Sequence, residues 1–389
     1  MANGSYVIDG LETGTFDLWY EVTGTPSISH TQAHTGYYSM RVNSGSSYVF
    51  DGGTANAKIS FWIYIATAPS SPARILGNPD TTSYAGVALN SDRTLSLLDA
   101  GVVEDTSSET IPLGEWHRIC VAHDGDATSK VYLDGTLVCS STSMSAASYG
   151  GRRGCSNAVT TLDLYFDDFY SVESATDTDD LGNVIIGKAL PVGEGTDQDT
   201  YSNNGNNVNA WTANDVDGSS DAVYTEVDDE PPSTANLGTN SQQNGCDGDN
   251  ENNWYYTVTF DEVDSGNLSG VLESGDTILS CVFSTSYETE GGGAGDYVFR
   301  IRCSDGVYNN TTIDDPAVPT LLIEEHGDTP QGANAWTEAY FNSLEMGYGC
   351  TTAAGKGLVF TAAMIQVAIL KASGEEPLVY DSIFMGCNF

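Results

Sequence analysis

Apolar and polar residues alternate along much of this chain with a period of two, the spacing that sends neighbouring side chains to opposite faces of a strand. The clearest stretch is Trp116-His117-Arg118-Ile119-Cys120-Val121-Ala122-His123-Asp124, followed after a short polar turn by Ser129-Lys130-Val131-Tyr132-Leu133-Asp134-Gly135-Thr136-Leu137-Val138. Two such runs predict an antiparallel hairpin with one half-buried face, and Asp134-Gly135 is itself a turn signal. Residues 59–65 are apolar on both faces, as a central sandwich strand is, and they put Trp62 and Tyr64 on one side with Phe61 and Ile63 on the other. Residues 87–89 and 95–98 read as a further hairpin, and residues 162–172 as a closing strand. The second half repeats this pattern at residues 254–260, 277–283, 297–303, 320–324 and 358–370, between loops rich in Asn and Gly. One short helix is predicted at residues 337–344, with Thr337 as its N-cap.

The pattern is therefore all-β: two β-sandwich, jelly-roll-like domains with at most one or two short helices. At 389 residues the chain is long enough for about two cores. An acidic, aperiodic stretch within residues 175–183 marks a short linker, with domains at 1–174 and 184–389. Lys and Arg number 13 against 54 Asp and Glu, a net charge of −41. Such a surface repels phosphate backbones and anionic lipid, which argues against nucleic-acid partners. No apolar run reaches spanning length and the first residues lack a signal-peptide pattern, so the expectation is synthesis in a host cytoplasm with no membrane insertion. The eight cysteines form no CxxC pair, and several sit in apolar runs, the pattern of buried free thiols.

The Trp116-led hairpin, the opening block Tyr6-Val7-Ile8-Asp9-Gly10-Leu11-Glu12-Thr13-Gly14 with Trp19 after it, and the closing strand at 162–172 together resemble laminin-G-like and concanavalin A-like jelly rolls. The resemblance implies that the first and last strands pair, and that the domain binds surfaces or sugars. It also implies a structural calcium near that pairing: Asp9 and Glu12 in the opening block, with Asp167 and Asp168 in the closing one, stand at the matching positions. Carboxylates and loop carbonyls supply the hard oxygens that Ca²⁺ takes, while the alternative is a set of charges facing water. No other cofactor is required. Trp19, Tyr37 and Trp62 are the candidates for a sugar-stacking face, with core packing as the alternative use of those rings.

The second half carries its own resemblance. The blocks IIGKALPVGEGT (185–196), Trp211, VYTEVDDEPPS (223–233) and DTPQGANAWTEAYFNSLEMGYG (328–349), in that order, look like a β-sandwich module of tailed-bacteriophage virion proteins. This implies a structural virion protein at the particle surface, a capsid decoration or head-fibre component, with major capsid or other virion proteins as docking partners and a homo-oligomeric state, such as a trimer. A tail or baseplate adhesion protein is the alternative location. The enzymatic alternative is a glycoside hydrolase of concanavalin-like fold, because Glu226, Asp228 and Glu230 have the Glu-x-Asp-x-Glu spacing that puts carboxyls on one strand face. Against it, Asp229 replaces an apolar residue, Pro231 and Pro232 stop the strand, and the pattern lies outside the jelly roll. No catalytic residues are assigned, and the chain is expected not to be an enzyme. Asp247-Gly248-Asp249-Asn250-Glu251-Asn252 lacks the Gly and Glu that an EF-hand loop needs, and no His pair has zinc spacing.

Overall fold

A computed structural model of the chain describes residues 5–51, 57–77, 84–146, 148–149, 151–173, 178–198, 200–203, 206–209, 211–214, 243–246, 254–260, 271–290, 296–310, 320–352 and 357–372. Contacts divide it into two compact units at Ile186/Gly187, the first taking in Asn3–Glu12, Phe16–Ile186 and the described residues after Val367.

The first unit is a sandwich of fifteen strands: β1 Ser5–Asp9, β2 Glu21–Thr23, β3 Ser27–Ser29, β4 Ser39–Val42, β5 Ser47–Phe50, β6 Ala57–Thr67, β7 Ala73–Leu76, β8 Ala85–Leu89, β9 Leu95–Asp99, β10 Val102–Thr106, β11 Trp116–His123, β12 Ser129–Leu133, β13 Thr136–Ser141, β14 Arg152–Cys155 and β15 Asp163–Glu173. One sheet is ordered β13-β12-β11-β6-β15-β4-β3, with β1 also pairing β15, and the other is ordered β10-β9-β8-β7-β14-β5-β2. The predicted hairpin is β11–β12, with Ile119 opposite Leu133 and His123 opposite Ser129. First and last strands pair antiparallel, Asp9 opposite Phe169, as the jelly-roll resemblance implies.

Alternation holds on the central strand β6. Ile59, Phe61, Ile63 and Ile65 enter the apolar core between the sheets, while Trp62 and Tyr64 take the outer face. That outer face is not left to water. Asp180, in the stretch expected to be a linker, forms a bidentate ion pair with Arg118 of β11 at 2.8 and 2.5 Å. The Tyr132 hydroxyl donates to the Thr178 carbonyl at 2.9 Å, and Lys130 reaches Asp179 at 3.5 Å. Residues 178–186 are thus part of the jelly-roll unit, because basic residues on the sheet neutralise the acids that made the stretch look solvated.

The described residues of the second unit form a two-stranded sheet, Thr200–Asn203 with Asn206–Asn209, and two larger antiparallel ones. One is ordered Trp211–Asn214, Gln243–Cys246, Gly357–Leu370, Thr277–Glu290, Thr320–His326 and the other Pro191–Gln198, Trp254–Phe260, Glu345–Thr352, Asp296–Cys303, Gly306–Asn310. Its one described helix, Glu338–Phe341, is shorter than predicted, and the Thr337 hydroxyl caps it by accepting from Tyr340 N. Buried Glu345 accepts from Thr196 N at 2.8 Å and from the Thr257 hydroxyl at 2.6 Å. No described helix is long and apolar enough to cross a membrane.

Candidate functional site: a loop held by buried carboxylates

The closing strand contains Leu164-Tyr165-Phe166-Asp167-Asp168-Phe169, in which strict alternation would drive Asp168 into the apolar interior and Phe169 out of it. A β-bulge resolves this. Asp167 lies opposite Trp62 of β6, but Tyr170 lies opposite Ser60, so β15 carries one extra residue. Asp168 takes up the insertion with φ at 49°. Phe169 then joins the core, its ring 6.1 Å from Phe61 and 5.1 Å from Trp19, and both acids stay outside the apolar cluster.

Those two acids, with Glu12, fix the loop between β3 and β4. Asp167 accepts from His34 N at 2.7 Å and from Asp168 N at 2.8 Å. Asp168 accepts from His34 Nδ1 at 2.6 Å, from the Thr35 hydroxyl and from Ile186 N at 2.8 Å. Since a carboxylate only accepts, Nδ1 carries the His34 proton. Glu12 Oε1 accepts from Tyr37 N at 2.9 Å and Tyr38 N at 3.1 Å. Just before these two, Gly36 sits at φ +65°, where a Cβ would collide with the Glu12 carboxyl, so the loop backbone approaches that carboxylate as only glycine allows. The His34 ring stacks on Trp62 at 3.7 Å and 15°. Tyr37 is left 62% exposed on a backbone that these hydrogen bonds anchor.

Of the three rings expected to face a sugar, only Tyr37 is exposed. Trp19 is 6% exposed and Trp62 7%. Trp19 belongs to the core because its indole N–H donates to buried Asp9 at 2.7 Å. Trp62 donates to the Val184 carbonyl at 3.1 Å while His34 covers its face. Neither can stack on a ligand. Two half-buried rings that the loop does not hold, Tyr64 and Trp116, lie 5.6 Å apart on the same outer face, Trp116 also 5.7 Å from His34. Trp116 was visible only as the head of its strand; its place opposite Tyr64 is a matter of register.

The four carboxylates expected around calcium are all buried, yet they do not form one ligand set. Asp9 spends one oxygen on Leu11 N and the other on the Trp19 indole, both at 2.7 Å. Asp168 spends both oxygens on loop donors, as above. Among the described residues no three His, Cys, Asp or Glu side chains form a metal-holding group. Asp167 has likewise given both oxygens to main-chain donors, and Glu12 Oε1 is taken by the loop amides. Burial, then the charges of Asp168 and Glu12, push the Asp167 carboxyl well above the ordinary carboxylate range. These acids together place an excess of buried negative charge behind the loop, which a hard cation such as Ca²⁺ would offset, with Glu12 and Asp167 as its carboxylate ligands in exchange for those hydrogen bonds.

The pattern at Glu226, Asp228 and Glu230, residues 247–252 and the glycine run at 291–295 lie outside the described residues. His117 pairs with Asp134 at 2.8 Å, and His123 is buried against the Ser129 hydroxyl at 2.9 Å. Cys120, Cys139, Cys155, Cys281 and Cys303 are buried free thiols; burial pushes Cys120 up to about 12.

Residues 54–163 match the family described as the Concanavalin A-like lectin/glucanases superfamily. No curated protein matches the chain. Among solved structures, the chain is similar to the cellulose-induced protein Cip1 at 18% identity and a TM-score of 0.36, over 44% of this chain and 99% of that one. It is similar to domain 4 of AbnA, an extracellular arabinanase from Geobacillus stearothermophilus solved with arabinotriose, at 13% identity and a TM-score of 0.33, over 45% and 95%. The binding domain of Paraclostridial Mosquitocidal Protein 1 matches at 13% identity and a TM-score of 0.35, over 66% and 75%. The jelly roll of the first unit, with its paired first and last strands, is a laminin-G-type, concanavalin A-like domain.

Proposed function

We propose that this chain is a structural adhesion protein displayed on the surface of a tailed-bacteriophage particle, with the jelly roll holding a glycan against loop 34–38. The observation that carries the adhesive part is Tyr37: an exposed aromatic ring on a loop whose backbone N–H groups are fixed by buried carboxylates. A rigid ring loses little entropy when a sugar stacks on it, which is how a small platform gains affinity. The carboxylates behind the loop favour a neutral saccharide. Glu12 and Asp167 would hold a Ca²⁺ ion, whose charge would offset theirs and stiffen the loop. The second unit would dock on major capsid or other virion proteins, in a homo-oligomer, and supply no chemistry. Its resemblance to virion modules and the charge of −41 support that placement. The absence of catalysis is likewise part of this reading: the clustered acids of the jelly roll spend their oxygens on loop donors.

Calorimetric titration of the protein with neutral oligosaccharides from bacterial envelopes tests the adhesive part. Binding is expected, with at least a tenfold loss in Tyr37→Ala. Unchanged affinity in that variant removes the site. Antibody labelling of intact particles tests the placement; labelling confined to lysate protein overturns it.

A further inference from the structure

On the other sheet of the jelly roll, β5 and β14 put Arg152 opposite Phe50 and Gly154 opposite Tyr48. Val49, between the two aromatics, points into the core, so Tyr48, Phe50 and Arg152 share the outer face. The Arg152 guanidinium lies over the Tyr48 ring, 4.5 Å from its centre. Tyr20 meets Phe50 edge-on at 6.1 Å and is 83% exposed. Gly154 lets β14 pass close beside Tyr48, since a Cβ there would run into the Ser47 carbonyl at 2.8 Å.

Among the described residues Arg152 carries no carboxylate partner, although the chain is so acidic. Arg41, Arg118 and Arg153 are each paired with an aspartate. A guanidinium held over a ring keeps its fork of N–H donors near one place, ready for a planar anion. Exposed aromatic edges beside it offer a surface for the C–H face of a sugar.

We propose that Tyr20, Phe50 and Arg152 form a second saccharide site, separate from Tyr37 and independent of it, that takes an acidic sugar of the uronate class. The rings of Tyr20 and Phe50 stack on the pyranose, and Arg152 binds its carboxylate through two parallel N–H donors. Glu21 lies opposite Phe50 on the far side from Arg152, its carboxylate engaged by the Thr23 hydroxyl at 2.6 Å. That charge repels an anion at its own end, so the sugar binds in one orientation with its carboxylate toward Arg152.

Titration of the full chain with pentagalacturonate and with its methyl ester, which keeps the sugar and removes the charge, tests this. Binding of the acid is expected to exceed that of the ester at least tenfold and to weaken as salt rises. Arg152→Gln is expected to abolish the preference and Arg152→Lys to weaken it, because lysine keeps the charge and loses the fork. Tyr20→Ala, at a ring that packs little, is expected to lower affinity for acid and ester alike with no change in melting temperature. Tyr37→Ala leaves acid binding intact. Equal affinity for acid and ester, no binding of either, or full binding by Tyr20→Ala overturns the proposal.

Discussion

Glu12 is where the account can be pressed hardest. Its carboxylate accepts the N–H groups of Tyr37 and Tyr38 at 2.9 and 3.1 Å, and hydrogen bonds to a charged acceptor each contribute about 1.5–3 kcal/mol. Glu12→Ala therefore forfeits about 3–6 kcal/mol of loop stabilisation. The same change removes a like charge that raises Asp167. Relief of that repulsion returns part of the loss. The net cost without calcium is thus below the cost of the two hydrogen bonds alone, about 3–6 kcal/mol. With calcium bound the repulsion is already neutralised, and the variant also loses a ligand, so the cost exceeds that of the calcium-free comparison. Urea unfolding of wild type and variant, each in EDTA and in millimolar calcium, measures the four free energies. The reasoning predicts that calcium stabilises wild type and does little for the variant. Equal calcium stabilisation of both, or none of either, refutes the calcium pair.

Asp9→Ala strands two buried donors, Leu11 N and the Trp19 indole, and is expected to cost about 2–5 kcal/mol in urea unfolding; a cost below about 1 kcal/mol contradicts that role. Phe61→Ala in the core is expected to cost about 3–5 kcal/mol, read from the same denaturation curves. The pH profile has two limbs of opposite sign. Asp180 lies below the ordinary range because its Arg118 hydrogen bonds and charge outweigh the burial that raises it, so its contribution is present above its unfolded value and fades as pH falls below about 4. Asp167 lies well above that range, chiefly through burial, so its contribution is present at low pH and is lost as pH rises through its folded value. Melting temperature in EDTA is therefore expected to decline from mildly acidic to neutral pH, and calcium to remove that decline; a flat EDTA profile contradicts the assignment.

Much of the fold was written in the period-two pattern. Strand β6 and the β11–β12 hairpin follow from alternation and turn residues, because a buried face tolerates no slip, while the pairing of first and last strands is what the jelly-roll resemblance implies. The site was legible as residues and not as geometry. Two successive aspartates between Phe166 and Phe169 break the alternation, and that break is the sequence signature of the bulge that aims them at the loop. Nothing in the sequence says that His34 covers Trp62, or that Asp9 claims the Trp19 indole, so both tryptophans read as ligand rings when they are packed ones. The acidic stretch after Glu173 read as a solvated linker because its partners, Arg118 and Lys130, are far away in sequence and adjacent only across the sheet.

Saturation-transfer NMR with a bound neutral oligosaccharide examines the adhesive surface itself. The account predicts transfer to the sugar from the Tyr37 ring, lost in Tyr37→Ala while the fold and the calcium response remain. Undiminished transfer in that variant, or none from the intact protein to any envelope saccharide, contradicts it.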